Sequence, residues 1–410
     1  MTDKLCRNCE SFRNGKCIER KEDVKEESSC SFHKLRDVSQ ELKDSYYTII
    51  DILKKYLDME ERYYPIVALW IVGTYGHDEF ETYPYLFLNA SKGSGKTRLL
   101  RLISVLSKNG RVIGSLTEAS LFRGAKGRTF CIDEFEQIGG EDKKNLRELL
   151  NSGYKKGLII ERWNKRKSPE GEIWVPEAHD VYTNIAMANI WGMESVLGDR
   201  CITLTLEKSS VRNVTKLIEN FDKDFAIQKI KALLNEIKDN FCDSILEKNM
   251  SQYWNDYILG VSNSNLVEQT IVFFKKVDET GIEGRNLELL LPLYFIANLI
   301  DEETLNKILD ISKEIVKERE EEDYFENKDK VLMRFLSEKI KQESLEYFDK
   351  ISTTKIANQF KEYLGDENEW INAKWLGKAL KRLKILKNRK RESGGMQVWL
   401  NTDKLKSVVM

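Results

Sequence analysis

The chain has almost no net charge and no long apolar run. Lys and Arg together number 66 against 67 Asp and Glu, which gives a formal net charge of -1. No molecule-wide positive field therefore attracts it to nucleic acid, and any such binding must be local. The start, MTDKLCRNCE, has no apolar signal segment, and the apolar runs near Ile66 and Leu289 are too short to cross a bilayer or are interrupted by Pro292. These absences predict a cytoplasmic protein without a membrane partner.

The sequence also lacks a recognisable primase or nuclease constellation, so we expect any such activity to belong to a separate chain. Its 410 residues, of which 41% are hydrophobic, are enough for two or three domains with ordinary cores. The informative features are local motifs.

The most specific motif is YLFLNASKGSGKT, from Tyr85 to Thr97. It predicts a buried strand, a glycine-bearing turn and a helix, RLLRLISVL, with several backbone N–H groups and the helix N-terminus facing one point. Such a site takes nucleotide phosphates, with Lys96 reaching the β- and γ-phosphates and the Thr97 hydroxyl ligating Mg²⁺. Ala90 stands where the usual pattern has its first glycine. The predicted ATP-binding residues are Ala90, Ser91, Lys92, Gly93, Ser94, Gly95, Lys96 and Thr97.

A second, acidic motif follows in RTFCIDEFEQI. Thr129 to Ile132 is β-prone, and Asp133 and Glu134 stand at its C-terminal end. Ligands collect at the carboxyl ends of parallel strands, which places both acids beside the phosphates. We expect Asp133 to hold Mg²⁺, directly or through water, and Glu134 to orient or deprotonate the attacking water. A solvated acidic turn is the alternative if the motif is taken alone, whereas its pairing with the phosphate loop favours hydrolysis of a nucleoside triphosphate.

Two polar residues further along the chain have predicted catalytic roles. Asn189 ends the strand-like run DVYTNIAMAN, where it would contact the γ-phosphate or the lytic water or, alternatively, merely cap the strand. Arg200 precedes the alternating strand CITLTLE, where it would complete a neighbouring subunit's site as an arginine finger. The alternative for Arg200 is a pairing with Asp133 or Glu134 within one chain.

The runs TYPYLFLNASKGSGKTRLL, FCIDEFEQI, LLNSGYKKG and LGDRCITLTL resemble the helicase-like ATPases of phages, plasmids and integrated elements. That family is similar to superfamily 3 and other AAA+ enzymes, and the likeness covers roughly residues 42–208. The resemblance implies that a hairpin before the sensor strand lines a central channel and grips nucleic acid. By position, this hairpin is Ile159 to Val175. The predicted contacts at its tip are Lys165, Arg166 and Lys167.

Four of the seven cysteines lie in the first 30 residues. Their clustering in a chain expected to be intracellular suggests a metal rather than disulfides. Structural Zn²⁺ is favoured, a [4Fe–4S] cluster is the alternative, and thiols that bind nothing remain a third interpretation. The predicted ligands are Cys6, Cys9, Cys17 and Cys30, with His33 as a possible substitute for one of them. Cys131, Cys201 and Cys242 are expected to be small core residues.

The C-terminal part predicts three helices followed by two short strands that turn at Ser393-Gly394-Gly395. This is the winged-helix form of helix-turn-helix, in which many ATPases of the family above end. A winged helix used for protein contact, with an ordinary basic surface, is the alternative. The residues predicted to contact DNA here are Lys378, Lys381, Arg382, Arg389, Lys390 and Arg391.

Together these features predict an α/β, P-loop AAA+-like parallel sheet core with a helical region, a C-terminal winged helix and a small N-terminal Cys knuckle. The expected domains are 1–36 for the knuckle, 37–208 for the ATPase, 209–325 for a helical lid or linker and 326–410 for the winged helix. The predicted function is an ATP- and Mg²⁺-dependent nucleic-acid motor, a DNA helicase or translocase of a mobile element, acting as a homo-oligomeric ring. The alternatives are an ATP-regulated DNA-binding switch and a nucleotide-dependent scaffold.

Overall fold

The computed structural model describes residues 12–13, 16–17, 22–23, 38–114, 117–133, 135, 144–168, 171–189, 195–247, 250–261, 268–326, 328–342, 350–364, 371–392, 395–401 and 405. The chain divides into two compact units, Met1–Lys313 and Glu314–Met410. The finer division into four parts stays a prediction.

Near the N-terminus, β1 (Phe12–Arg13), β2 (Lys16–Cys17) and β3 (Glu22–Asp23) form a small antiparallel sheet. Cys6, Cys9 and Cys30 lie outside the described residues, and Cys17 is described only as part of β2. The predicted metal knuckle therefore stays a prediction.

A five-stranded parallel sheet forms the centre of the first unit. Its strands are β4 (Tyr85–Ala90), β5 (Gly110–Ile113), β6 (Thr129–Ile132), β9 (Asn184–Asn189) and β10 (Cys201–Leu206), in the order β10-β4-β9-β6-β5. The three inner strands are almost wholly buried, as expected when helices cover both faces of a parallel sheet. The sheet confirms the predicted α/β class and gives the protein a P-loop-like core.

Helices α1 (Ser39–Tyr56), α2 (Tyr63–Gly73) and α3 (Lys96–Leu106) belong to the same unit. All residues of α2 are buried, which matches a helix that is apolar on every side. Trp70 of α2 donates its indole N–H to the Pro84 carbonyl oxygen at 2.7 Å, and the Tyr83 hydroxyl donates to the Trp70 carbonyl at 2.7 Å. These bonds fix the chain directly before β4.

Short helices and a hairpin connect the other strands. The helices are α4 (Glu118–Gly124), α5 (Lys144–Ser152), α6 (Ser195–Gly198) and α7 (Arg212–Thr215). The hairpin consists of β7 (Ile159–Ser168) and β8 (Gly171–Asp180), which pair along their full length from Ile159↔Asp180 to Ser168↔Gly171. It therefore extends beyond the predicted end at Val175. Pro176 is tolerated within β8 because each strand of a two-stranded ribbon is an edge strand, on which a missing N–H need not break the ladder.

The helical region after the sheet contains α8 (Phe225–Glu247), α9 (Met250–Ile258), α10 (Glu268–Asp278), α11 (Gly284–Ile300) and α12 (Glu302–Glu326). The apolar stretch near Leu289 lies in α11, which packs against α1 and α2. Within the described part of the chain, no helix has both the length and the apolar character needed to cross a membrane.

The second unit contains α13 (Lys328–Gln342), β11 (Ile351–Ser352), α14 (Thr353–Leu364), α15 (Ala373–Arg382), β12 (Leu386–Glu392) and β13 (Gly395–Leu400). The strands form an antiparallel sheet in the order β11-β13-β12. This unit has its own apolar core, which includes Phe335, Phe360, Leu376, Leu380 and Val398.

Candidate nucleotide site

The loop between β4 and α3 makes a tight turn. Gly93 and Gly95 have φ angles of 84° and 91°, in the left-handed region that favours glycine. The buried Ser94 hydroxyl donates to the Ser91 carbonyl oxygen at 2.8 Å, which closes the turn. Gly95 is the N-cap of α3, so the unsatisfied N–H groups of the first helical turn begin directly after the loop. This local geometry is that of an anion site at a helix N-terminus.

The structure brings together the two predicted Mg²⁺ ligands. Thr97, in the first turn of α3, donates its hydroxyl to Asp133 Oδ2 at 2.7 Å, although 36 residues separate them. The Asp133 backbone N–H donates to the Ile113 carbonyl of β5 at 3.1 Å, which fixes the turn after β6. Asp133 Oδ1 is buried and has no hydrogen-bond partner among the described residues. A buried, unpaired carboxylate oxygen beside a hydroxyl fits a hard cation such as Mg²⁺.

Lys96 is half-buried at the start of α3 and lines the same cleft as the loop. Within the described ranges its ammonium has no hydrogen-bond or ion-pair partner. Glu134 lies outside the described residues, and its role stays a prediction. The next described residue, Phe135, donates its N–H to the Ala188 carbonyl at 2.8 Å, which ties the chain after Asp133 to β9.

Asn189 is the last residue of β9 and is 6% exposed. In the register of the sheet it is paired with Asn89, which is one residue before the end of β4. Because β9 runs between β4 and β6, Asn189 occupies the edge between the phosphate loop and Asp133. This position suits the predicted contact with a γ-phosphate or a water, and the role stays a prediction.

Arg200 lies at the opposite end of the sheet. Its carbonyl accepts the N–H of Tyr85, the first residue of β4, at 3.0 Å. The length of β4 separates it from the phosphate loop by roughly 20 Å. Its guanidinium donates to the carbonyl oxygens of Asn151, at 2.9 Å, and Val196, and lies over the Tyr154 ring, 5.2 Å from the ring centre. Arg200 therefore does not pair with Asp133 in its own chain, and a finger role requires a second subunit.

A cleft of about 710 Å³ opens at the phosphate loop. One wall is the loop itself, from Lys92 to Thr97. The other consists of the end of α1 with the two residues that follow it, and the segment after β10. Its residues are Tyr56, Leu57, Asp58, Ser209, Val214, Thr215 and Glu219. The volume lies within the range of small-molecule sites. This second wall was not predicted from the sequence.

Arg98 joins the two segments of that second wall to α3. Its guanidinium donates to the Tyr56 carbonyl at 3.1 Å, the Val214 carbonyl at 2.8 Å and the Leu217 carbonyl at 2.9 Å, and to Glu219 Oε1 at 3.1 Å. The five donors of a guanidinium permit this many contacts from one side chain. An arginine directly after the GKT sequence was the only available sequence signal, and it carries no information about its partners.

The predicted nucleic-acid residues lie on two separate elements. Lys165 and Arg166 are exposed on β7, and Lys167 is described only as part of that strand. On α15, Lys378 and Lys381 are exposed, and the side chain of Arg382 is not described. The exposed residues of β12 include Arg389, Lys390 and Arg391.

Comparisons with known proteins give little additional information. No protein-family model matches the chain, and no curated protein matches it. Twelve chains of solved structures match. One of them is the A form apo structure of the C-terminal region of NrS-1, residues 305–718, with 10% sequence identity and a TM-score of 0.31. The match covers 88% of this chain and 74% of that one. A similarity at this level carries no argument about fold or function. The class, a mixed α/β protein with a P-loop-like core, follows from the parallel sheet and its loop.

Proposed function

We propose that this protein is a P-loop ATPase that uses Mg-ATP hydrolysis to move along nucleic acid, as a DNA helicase or translocase of a mobile element does. The hydrogen bond between Thr97 and Asp133 carries the proposal. It joins the helix after the phosphate loop to the acid at the end of β6. The unpaired Asp133 Oδ1 beside it supports a bound cation.

The residues of the site have distinct chemical tasks in this proposal. The N–H groups at the start of α3 and the Lys96 ammonium bind the phosphates. Thr97 and Asp133 hold Mg²⁺, which neutralises charge on the phosphate oxygens. Asn189 orients the lytic water, and Glu134 accepts a proton from it as its oxygen bonds to the γ-phosphorus. The bond from that phosphorus to the β–γ bridging oxygen breaks, and ADP and phosphate leave.

In a ring of subunits, a neighbouring subunit supplies the arginine finger of the proposed site. Because Arg200 is remote from the phosphate loop of its own chain, it acts on the γ-phosphate of the neighbouring subunit. A head-to-tail interface that closes into a ring meets this requirement. The β7–β8 hairpins then project basic residues toward a nucleic-acid strand, and each round of hydrolysis moves them along it.

The terminal parts of the chain are proposed to select the substrate. The three helices and hairpin of the second unit form a winged helix that contacts DNA phosphates through its exposed basic residues on α15 and β12. Cys6, Cys9, Cys17 and Cys30 hold Zn²⁺, or alternatively a [4Fe–4S] cluster, in a small docking module.

The test is phosphate release by the variants Lys96→Ala and Glu134→Gln, with and without DNA. Both variants are expected to lose hydrolysis, and Glu134→Gln is expected to retain ATP binding because its phosphate contacts are intact. Circular dichroism and the thermal midpoint serve as controls for the fold. Normal hydrolysis by either variant would show that the site is wrongly assigned.

A second candidate function is an ATP-regulated DNA-binding switch in transcription, plasmid maintenance or defence. The basic strand β12 supports it, because its exposed lysines and arginines suit DNA phosphates and belong to a compact unit separate from the sheet core. Strand displacement on a forked substrate separates the two candidates. A motor separates the strands at the expense of ATP, whereas a switch hydrolyses ATP slowly and displaces nothing.

A further inference from the structure

The β7–β8 hairpin exposes two tryptophans. Trp163 and Trp174 are each 60% exposed, whereas Trp70 in the core of the first unit is completely buried. An exposed tryptophan is costly to keep in water, because its ring is one of the largest apolar side-chain surfaces. Two of them on one hairpin point to a ligand for this surface.

Both tryptophans lie on the same face of the hairpin. Trp174 is directly opposite Lys165, and Trp163 is directly opposite Pro176, two positions along. Residues opposite each other, and residues two apart in one strand, share a face, so the two rings are diagonal neighbours. Ile160, on the other face, packs against the core of the sheet domain. The tryptophan face is therefore the one turned away from that core.

The cations of the hairpin are also divided between the faces. The Lys165 ammonium lies over the Trp174 ring, 5.3 Å from the ring centre. Arg166 lies on the opposite face, where it forms an ion pair with Glu177 at 2.6 Å. The tryptophan face thus combines two exposed aromatic rings with a lysine between them.

We propose that this face binds unpaired bases of a single-stranded nucleic acid by stacking on Trp163 and Trp174, with Lys165 contacting a phosphate. The inference rests on the proposed nucleic-acid function and specifies that the hairpin binds single strands. Aromatic side chains interleaved with cations are the usual means of binding single strands without sequence preference. In a duplex the faces of the bases are covered by their neighbours, so the rings have no stacking surface there.

The charge at the centre of the face disfavours a protein partner. Lysine is depleted in protein–protein interfaces, and interface cores lose charged residues first. Here Lys165 lies between the two rings rather than at a rim. An anionic, aromatic ligand satisfies both kinds of group at once.

The test measures the binding of a labelled 20-nucleotide oligothymidylate by fluorescence anisotropy, in the absence of ATP. Trp163→Ala and Trp174→Ala are each expected to weaken binding by roughly 5- to 100-fold, and Trp→Phe at either position is expected to retain most of the affinity. Lys165→Ala should reduce the slope of log affinity against log salt by about 0.7. Ile173→Ala is the matched control, because Ile173 is 49% exposed on the opposite face of the same hairpin. Its affinity should equal that of the wild type.

Three results would overturn the proposal. The first is wild-type affinity in both Trp→Ala variants. The second is an equal loss of affinity for a duplex of the same length, which would show that stacking on unpaired bases is not involved. The third is a change in particle size without a change in oligonucleotide binding, which would assign the face to a contact between copies of the chain. The binding assay contains no ATP, so its result does not depend on whether the ATPase assignment is correct.

Discussion

Thr82 Oγ1 donates a hydrogen bond of 2.8 Å to the backbone carbonyl oxygen of Glu288. In α11 that carbonyl would normally accept from residue 292, which is Pro292 and has no N–H. A side chain directly before the central sheet therefore satisfies a helix position more than 200 residues later in the chain. The bond links the segment before the central sheet to the helical region of the same unit.

We predict that Thr82→Val lowers the free energy of unfolding by about 1–2 kcal/mol, because it leaves the Glu288 carbonyl without a donor. Urea denaturation measures the change. In a Pro292→Ala background, the N–H of residue 292 can donate to the Glu288 carbonyl in place of the lost Thr82 hydroxyl. Thr82→Val should therefore lower the free energy of unfolding by less in that background. Thr48→Val is the control, since the Thr48 hydroxyl bonds an exposed carbonyl of its own helix at 2.7 Å. Equal losses at both threonines would contradict the account.

Arg98 gives a second prediction. Arg98→Ala removes the guanidinium hydrogen bonds to the carbonyls of Tyr56, Val214 and Leu217, and it should destabilise the protein by about 2–3 kcal/mol. Loosening of the wall should also weaken ATP binding by roughly tenfold, measured by calorimetry. Arg101, one turn of α3 away, forms an ion pair with the same Glu219 but is 52% exposed. Arg101→Ala should change stability by less than about 1 kcal/mol. If the two variants behave alike, the bonds to the carbonyls do not hold the wall.

We expect His77 to make the free energy of unfolding depend on pH. The ring is buried and stacks on Tyr182 with ring centres 3.9 Å apart, and within the described part of the chain its Nε2 has no hydrogen-bond partner. Burial lowers the pKa of His77 below its ordinary value of 6.5 and outweighs the neighbouring Asp78, which raises it. His77 therefore binds a proton more readily in the unfolded chain than in the folded one. The contribution of neutral His77 to the free energy of unfolding is fully present above pH 6.5 and decreases as the pH falls below that value.

We predict that His77→Phe removes this acid sensitivity. Between pH 6.5 and 5 the wild type should lose up to about 1.4 kcal/mol per pH unit more than the variant, measured by urea denaturation at each pH. The hydrogen bond to His77 lowers the pKa of Asp78, so the stability due to Asp78 is lost only below its ordinary value of 3.8. Burial raises the pKa of Glu79 above its ordinary value of 4.5, so the comparison with the variant, and not the pH window alone, isolates the histidine. Parallel curves for the two proteins would show that His77 is not the titrating group.

Arg200 is predicted to act between subunits. Arg200→Ala and Glu134→Gln should each be inactive alone, and a mixture should regain part of the ATPase activity because some interfaces then combine an intact arginine with an intact acid. Phosphate release from the mixed proteins measures this. Arg111→Ala, at an exposed arginine on β5, should keep full activity. A mixture that remains inactive would contradict a finger in trans.

The sequence was sufficient to predict the strand, turn and helix around the proposed phosphate loop because these elements are contiguous. The strand, glycine turn and helix between Tyr85 and Leu106 follow one another in the chain, and β4 and α3 occupy these positions. The proximity of Asp133 to the loop between β4 and α3 followed from a general rule, namely that the carboxyl ends of parallel strands lie at one edge of the sheet. Local pattern and sheet topology together therefore placed Thr97 beside Asp133.

Other parts of the site depend on contacts that no local pattern encodes. The second wall of the cleft is assembled by Arg98 across separations of 42 to 121 residues. The two faces of the hairpin are defined by the register of β7 against β8, which sets Lys165 opposite Trp174. A list of basic residues near the tip could not show that Arg166 faces away from Lys165 and is paired with Glu177.

The most direct test of the central claim is the position of Mn²⁺, located by anomalous diffraction, in a crystal of the protein with a non-hydrolysable ATP analogue. We expect one peak at the N-terminal end of α3, within about 2–2.5 Å of Thr97 Oγ1, with Asp133 bound to it directly or through one water. The phosphates should contact the loop from Ser91 to Lys96. A nucleotide bound elsewhere, or a metal that contacts neither Thr97 nor Asp133, would contradict it.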